Sequence, residues 1–139
     1  MRPVLGIDLG EARTGIAISD ELRMLAHPLE TIGTSPAMVP RIRQIVAERN
    51  VERVVVGLPR HMNGALGAGA EKANDFAQKL RAELPCEVVT WDERLSTAAA
   101  QRALRESGKK THQTRGIIDQ VAAQMILQGY LDRLNNAGF

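Results

Sequence analysis

The sequence predicts one α/β domain over residues 1–139, with a mixed central sheet whose early strands are antiparallel and with helices on its faces. Three observations predict it. Three short strand-like runs open the chain with only turns between them, so they pair as neighbours. From residue 53 onward, branched apolar runs alternate with amphipathic helical stretches, the pattern of parallel strands joined by crossover helices. A chain of 139 residues, 44% hydrophobic and 24% charged, can bury one core but is short for two.

Val4 to Leu9 reads as the first strand, and a turn over Gly10 to Arg13 leads into a second from Thr14 to Ser19. A weaker third strand spans Leu25 to Thr31, and His27-Pro28 marks it as an edge because proline cannot donate to a ladder. Ser35-Pro36 reads as an N-cap and first helical residue, opening a helix through Asn50 with Ile42, Ile45 and Val46 on one face. Arg53 to Leu58, RVVVGL, has the branched run of a buried parallel strand, stopped by Pro59. The glycine-rich RHMNGALGAG follows as a loop, and Ala70 to Glu83 is helical with Ala73, Phe76, Ala77 and Leu80 inward. Cys86 to Trp91 supplies another strand. Ser96-Thr97 can cap a helix through Glu106, Gly108 to Thr114 reads as an exposed loop, and a last helix runs from about Gly116 to Leu134. Its apolar face is expected to carry Ile118, Val121, Ala122, Met125 and Ile126.

Composition excludes several functions. Aromatic residues make up 3% of the chain, too few for a nucleic-acid site built from rows of stacked rings. The lone Cys86 excludes an intramolecular disulfide and a cysteine-based zinc cluster. No signal-peptide pattern or membrane-length apolar run is present, so a cytoplasmic protein without membrane contact is expected. The formal charge of +2 is too mild to name a partner.

Chemistry concentrates in three carboxylates. Asp8 stands inside an apolar strand, where an unpaired charge would cost several kcal/mol; it needs a metal, a basic partner or hydrogen-bond donors, unless it caps the following turn. Asp92 and Glu93 compete for a second position past a strand end, and Glu93 could instead pair with Arg94 on the surface. Asp119 lies near the rim of the last helix's buried face, or points to solvent. If Asp8, Glu93 and Asp119 converge, hard oxygen donors favour Mg²⁺ or Mn²⁺, and the matching chemistry is phosphodiester hydrolysis. Thr14 is a further hydroxyl that could reach the site, with a structural hydrogen bond as its alternative.

Four blocks, LGIDLGEARTGIAISD, VVVGLPRHMNG, VVTWDERLSTAAAQRAL and IIDQVAAQMILQGYLD, occur in that order and cover most of the chain. In them the sequence closely resembles the bacterial YqgF or RuvX family of Holliday-junction-resolvase-like proteins, whose members have an RNase H-like fold and are regarded as pre-16S rRNA nucleases. The resemblance places the family's acidic positions at Asp8, Glu93 and Asp119 and implies a metal-dependent nuclease using Mg²⁺ or Mn²⁺. It also implies structured RNA as partner, with pre-16S rRNA and a ribosomal assembly particle foremost. Branched DNA at a four-way junction, or a non-catalytic assembly role, are the alternatives.

Residues 94–115 hold Arg94, Arg102, Arg105, Lys109, Lys110 and Arg115 against Glu106 alone, a candidate phosphate-binding edge. Arg13 and Arg60 lie in turns after strands and are candidate clamps, and His61 is a candidate proton shuttle. A monomer or weak homodimer is expected.

Overall fold

The computed structural model describes residues 1–59, 67–95 and 112–136. Five strands form one sheet in the order β3-β2-β1-β4-β5: β1 is Val4–Asp8, β2 Arg13–Ser19, β3 Ala26–Gly33, β4 Arg53–Leu58 and β5 Glu87–Asp92. β1 pairs antiparallel with β2, and β2 with β3, while β1, β4 and β5 run parallel. The wholly apolar-flanked β1 is buried at every residue, and Pro28 lies in the edge strand where its missing N–H costs least.

Local polar groups fix the two early turns. Asp20 Oδ1 accepts hydrogen bonds from the backbone N–H of Met24 and Leu25, which hold its carboxyl below the usual range and close the β2–β3 turn. At the β1–β2 turn, Thr34 Oγ1 donates to the Gly10 carbonyl and shares a 2.8 Å hydrogen bond with Thr14 Oγ1. Thr14 is therefore a structural hydroxyl that ties this turn to the end of β3. The turn is tight: a Cβ at Gly10 would lie 2.2 Å from the Arg13 carbonyl oxygen.

Helices α1 (Met38–Arg49) and α2 (Ala68–Glu83) cover one face, and α3 (His112–Asn136) crosses the other. Ser35 does not cap α1. Its Oγ accepts from Ala37 N–H and its carbonyl from Met38 N–H, so the pair Ser35-Pro36 forms a turn and the helix starts later. Pro40 then falls at the third helical position, where no intrahelical donor is required. Helix α3 begins at His112, inside the stretch read as a loop, because its polar first turn carries no apolar period to reveal it. The expected glycine-rich loop at 60–66 and the helix from 96 to 106 lie outside the described residues.

The buried stripe of α3 is Ala122, Ala123, Ile126, Leu127 and Leu131, with Val121 and Met125 only partly covered. This is a rotation of about one residue from the expected face, and the sheet explains it. A Cβ at Gly6 would lie 2.7 Å from Leu127 Cβ, at Gly15 2.0 Å from the Asp119 carbonyl oxygen, and at Gly57 2.4 Å from Ile126 Cδ1. The three glycines share one sheet face and leave a shallow bed into which the small side of the helix sinks.

A methyl group at Gly15 meets rigid helix backbone, so Gly15→Ala should lower stability by about 1–3 kcal/mol, the usual cost of overpacking. Gly33→Ala, which meets nothing within 4 Å, should stay within about 0.5 kcal/mol of the parent in the same urea denaturation. Equal losses in the two variants would contradict the close approach of α3.

Candidate active site

Sheet register builds the acidic row. Asp8 is paired with Gly15 across the antiparallel β1–β2 ladder, and it lies one step beyond the Ile7↔Val56 pair of the parallel β1–β4 ladder, level with Gly57. Gly15, Asp8 and Gly57 thus lie side by side on three adjacent strands, about 10 Å across at the usual strand spacing. Asp119 sits over one end, its carbonyl oxygen directly above Gly15. Glu93 folds over the other end, with Oε2 3.1 Å from where a Gly57 Cβ would be. Two of the three glycines that seat α3, Gly57 and Gly15, are the positions over which the second and third acids lie.

All three carboxylates are enclosed: Asp8 and Asp119 are 0% exposed and Glu93 is 2% exposed. The turn Glu93–Leu95 that follows β5 decides between the adjacent acids. It turns Glu93 inward, whereas Asp92 stays partly exposed and accepts hydrogen bonds from Arg94 Nε and Nη2, the latter at 2.6 Å. These bonds raise the guanidinium pKa of Arg94 and commit it to Asp92. On α3, Asp119 heads the same stripe as Ala122, Ala123, Ile126 and Leu127, spaced three, four, seven and eight residues on, so it lies within the buried face, inward of the expected rim.

Among the described residues, Arg13 meets the row. Arg13 starts β2 on the face of Gly15, and its Nε donates to Asp119 Oδ2 at 2.9 Å; its side chain is 25% exposed against 1% for Asp119. Of the other expected basic contacts, Arg60, Arg102, Arg105, Lys109 and Lys110 lie outside the described residues, as does His61, and Arg115 lies in the first turn of α3, its side chain likewise outside them. Behind Glu93, Trp91 packs edge-on against Tyr130 with ring centroids 5.9 Å apart, closing this side of the core.

The donors are hard carboxylate oxygens, the kind Mg²⁺ and Mn²⁺ favour. Their present arrangement does not fit a bound ion: among the described residues no group of three or more His, Cys, Asp or Glu could hold one. The row therefore has the right chemistry with an arrangement that keeps Asp119 on Arg13.

Sequence reading named the three acids, took Arg13 for a phosphate clamp where the structure pairs it with Asp119, and missed Gly6, Gly15 and Gly57. Glycines inside predicted strands are the signal that marks such close approach, and Gly6 and Gly15 stand in GIDLG and TGIAIS where a strand former would be expected.

The fold is that of the RNase H-like resolvases. RuvC of T. thermophilus, solved in complex with a Holliday junction substrate, matches with a TM-score of 0.59 at 17% identity, covering 97% of each chain. The fowlpox virus Holliday junction resolvase matches with a TM-score of 0.50 at 11% identity, over 94% of this chain and 98% of that one. Within this class the family is set by sequence: residues 2–133 match the model described as RuvX, Holliday junction resolvase, and the chain belongs to that family. Relatives named "Putative pre-16S rRNA nuclease" include one from Acetivibrio thermocellus, 48% identical over 93% of this chain and 94% of its own length. Another, from Halalkalibacterium halodurans, is 44% identical over 93% of this chain and 95% of its own.

Removing the guanidinium leaves Asp119 enclosed with one charged donor fewer. Arg13→Gln should cost about 2–3 kcal/mol, less than a fully buried pair because Arg13 is partly exposed. The double variant Arg13→Gln/Asp119→Asn should recover at least about 1 kcal/mol in urea denaturation; additive losses would show that the two side chains are uncoupled.

Proposed function

We propose that this protein is a metal-dependent phosphodiester hydrolase that processes the 5′ end of pre-16S rRNA on a ribosomal assembly particle in the cytoplasm. The observation that carries the reading is the row of three enclosed carboxylates at one end of the sheet, in a chain of the RuvX family. Enclosing three acids on one face opposes folding, and a merely structural role would be met as well by amides of the same shape. Carboxylates are what a hydrolytic site requires: oxygens that accept the protons of an attacking water and hold it in line with the scissile bond.

Asp8 is central because the other two acids flank it, so its carboxylate is the one to orient the water. Glu93 and Asp119 bound the position on either side, and the α3 backbone over Gly15 limits the water that can enter. A row of carboxylates repels an incoming phosphodiester unless cations offset it, and Mg²⁺ or Mn²⁺ would supply that charge and lower the pKa of a bound water. Arg60, Arg102, Arg105, Lys109, Lys110 and Arg115 are proposed to contact the RNA backbone, whereas Arg94 would first have to leave Asp92. A monomer, or a weak homodimer, suffices for cutting one strand.

A second reading, cleavage of branched DNA, is favoured by the family's description and by the fold shared with a junction-bound resolvase. The two differ in substrate and use the same row.

Incubation with 5′-extended pre-16S RNA, and separately with a four-way DNA junction, in Mg²⁺ or Mn²⁺ tests both. Asp8→Asn and Glu93→Gln should each lower RNA cleavage by about 10²-fold or more, and excess EDTA should abolish it. Asp92→Asn should remain within about threefold of the parent, because Asp92 points away from the row. Undiminished cleavage by Asp8→Asn/Glu93→Gln would overturn the reading, and cleavage of the junction alone would replace its substrate.

A further inference from the structure

The parallel ladder that carries β5 ends one residue short of the second acid. Its last pairs are Gly57↔Trp91 and Leu58↔Asp92. Trp91 packs into the core beneath α3 and Leu58 belongs to the core beneath α1 and α2, so Asp92 lies on the face away from the row. Glu93 is the first residue beyond the ladder, and its inward course depends on the turn Glu93–Leu95. Asp92 braces that turn from behind. Its Oδ1 accepts a hydrogen bond from the backbone N–H of Arg94 at 3.0 Å, closing a short loop around Glu93. The Arg94 guanidinium returns to the same carboxylate, with Nε 3.1 Å from each oxygen and Nη2 2.6 Å from Oδ2. A carboxylate held by a guanidinium fork keeps one orientation, and here that orientation leaves Oδ1 on the N–H.

We infer that Asp92 is a positioning residue for Glu93: its side-chain oxygen pins the peptide that follows Glu93 and so aims the Glu93 carboxylate into the row, with Arg94 steadying the brace. The inference rests on the hydrolase reading above and adds that Asp92, on the opposite face of the sheet, acts only through its neighbour. The brace requires an acceptor oxygen two residues before the Arg94 N–H, and it does not require a negative charge at that oxygen. An amide can therefore replace the carboxylate, whereas a methyl group cannot.

Cleavage of 5′-extended pre-16S RNA, or of the four-way junction if that is the substrate cut, tests it together with amide exchange of the full chain. Asp92→Ala should lower kcat about tenfold or more without raising KM, because Glu93 loses its alignment and no contact to substrate is removed. Asp92→Asn should keep the cleavage rate within about threefold of the parent. Added to Glu93→Gln, Asp92→Ala should deepen the loss by less than about twofold, since its effect passes through that side chain. The Arg94 N–H should exchange about fivefold faster in Asp92→Ala than in the parent or in Asp92→Asn, the usual worth of one side-chain cap. Parent-like kcat in Asp92→Ala, a rise in KM alone, an equal loss in Asp92→Asn, or additive losses in the double variant would each overturn the inference. If Asp92→Ala does not fold, the parent decides it: an Arg94 N–H exchanging as fast as in an unstructured peptide overturns it. Full cleavage by Glu93→Gln sinks the hydrolase reading as well, whereas loss in Glu93→Gln beside parent-like Asp92→Ala sinks this inference only.

Discussion

Helix α3 rests on the sheet at Gly6, Gly15 and Gly57, and the acidic row depends on how closely it can approach there. Side chains on those strands would hold the helix off by the width of at least a methyl group. Asp119 would then stand off from Gly15, the residue paired with Asp8, and Ile126 would no longer wedge against the strand over which Glu93 folds. The same contact supplies the second core: Val4, Ala17, Val55, Ala123, Ile126, Leu127 and Leu131 pack together along the rest of the helix. Burial of that apolar seam is the favourable term that offsets enclosing the carboxylates at its end.

The chemistry thus sits where packing is tightest. Asp8 belongs to a strand buried at every position, Glu93 to the turn that ends the neighbouring parallel strand, and Asp119 to the first described buried position of α3. Three distant parts of the chain meet because antiparallel register sets Asp8 against Gly15 and parallel register sets it level with Gly57. Arg13 enters through the same register, two residues before Gly15 and therefore on the same face.

Much of this was legible in the sequence where a single element carries the signal. The five strands, the edge position of the Pro28 strand and the inward faces of the first two helices follow from local periodicity and turn residues. Asp8 was conspicuous as a charge within an apolar strand. What escaped is what depends on partners. The face of α3 is turned by glycines on other strands, so its own hydrophobic pattern, with Val121 and Met125 as prominent as Ile126, could not fix it. Ser35 looked like a cap but spends its oxygens on the turn before α1. Asp92 and Glu93 are adjacent and equally acidic, and only the turn after β5 separates their roles. The pairing of Arg13 with Asp119, 106 residues apart, has no local signature at all.

The central claim is that this row of carboxylates is the centre of the proposed metal-dependent hydrolysis. Crystals of the protein grown with Mn²⁺, measured at the manganese absorption edge, test it most directly. The account predicts an anomalous peak in contact with Asp8, Glu93 and Asp119. Manganese bound only elsewhere, with the row undisturbed, would contradict it.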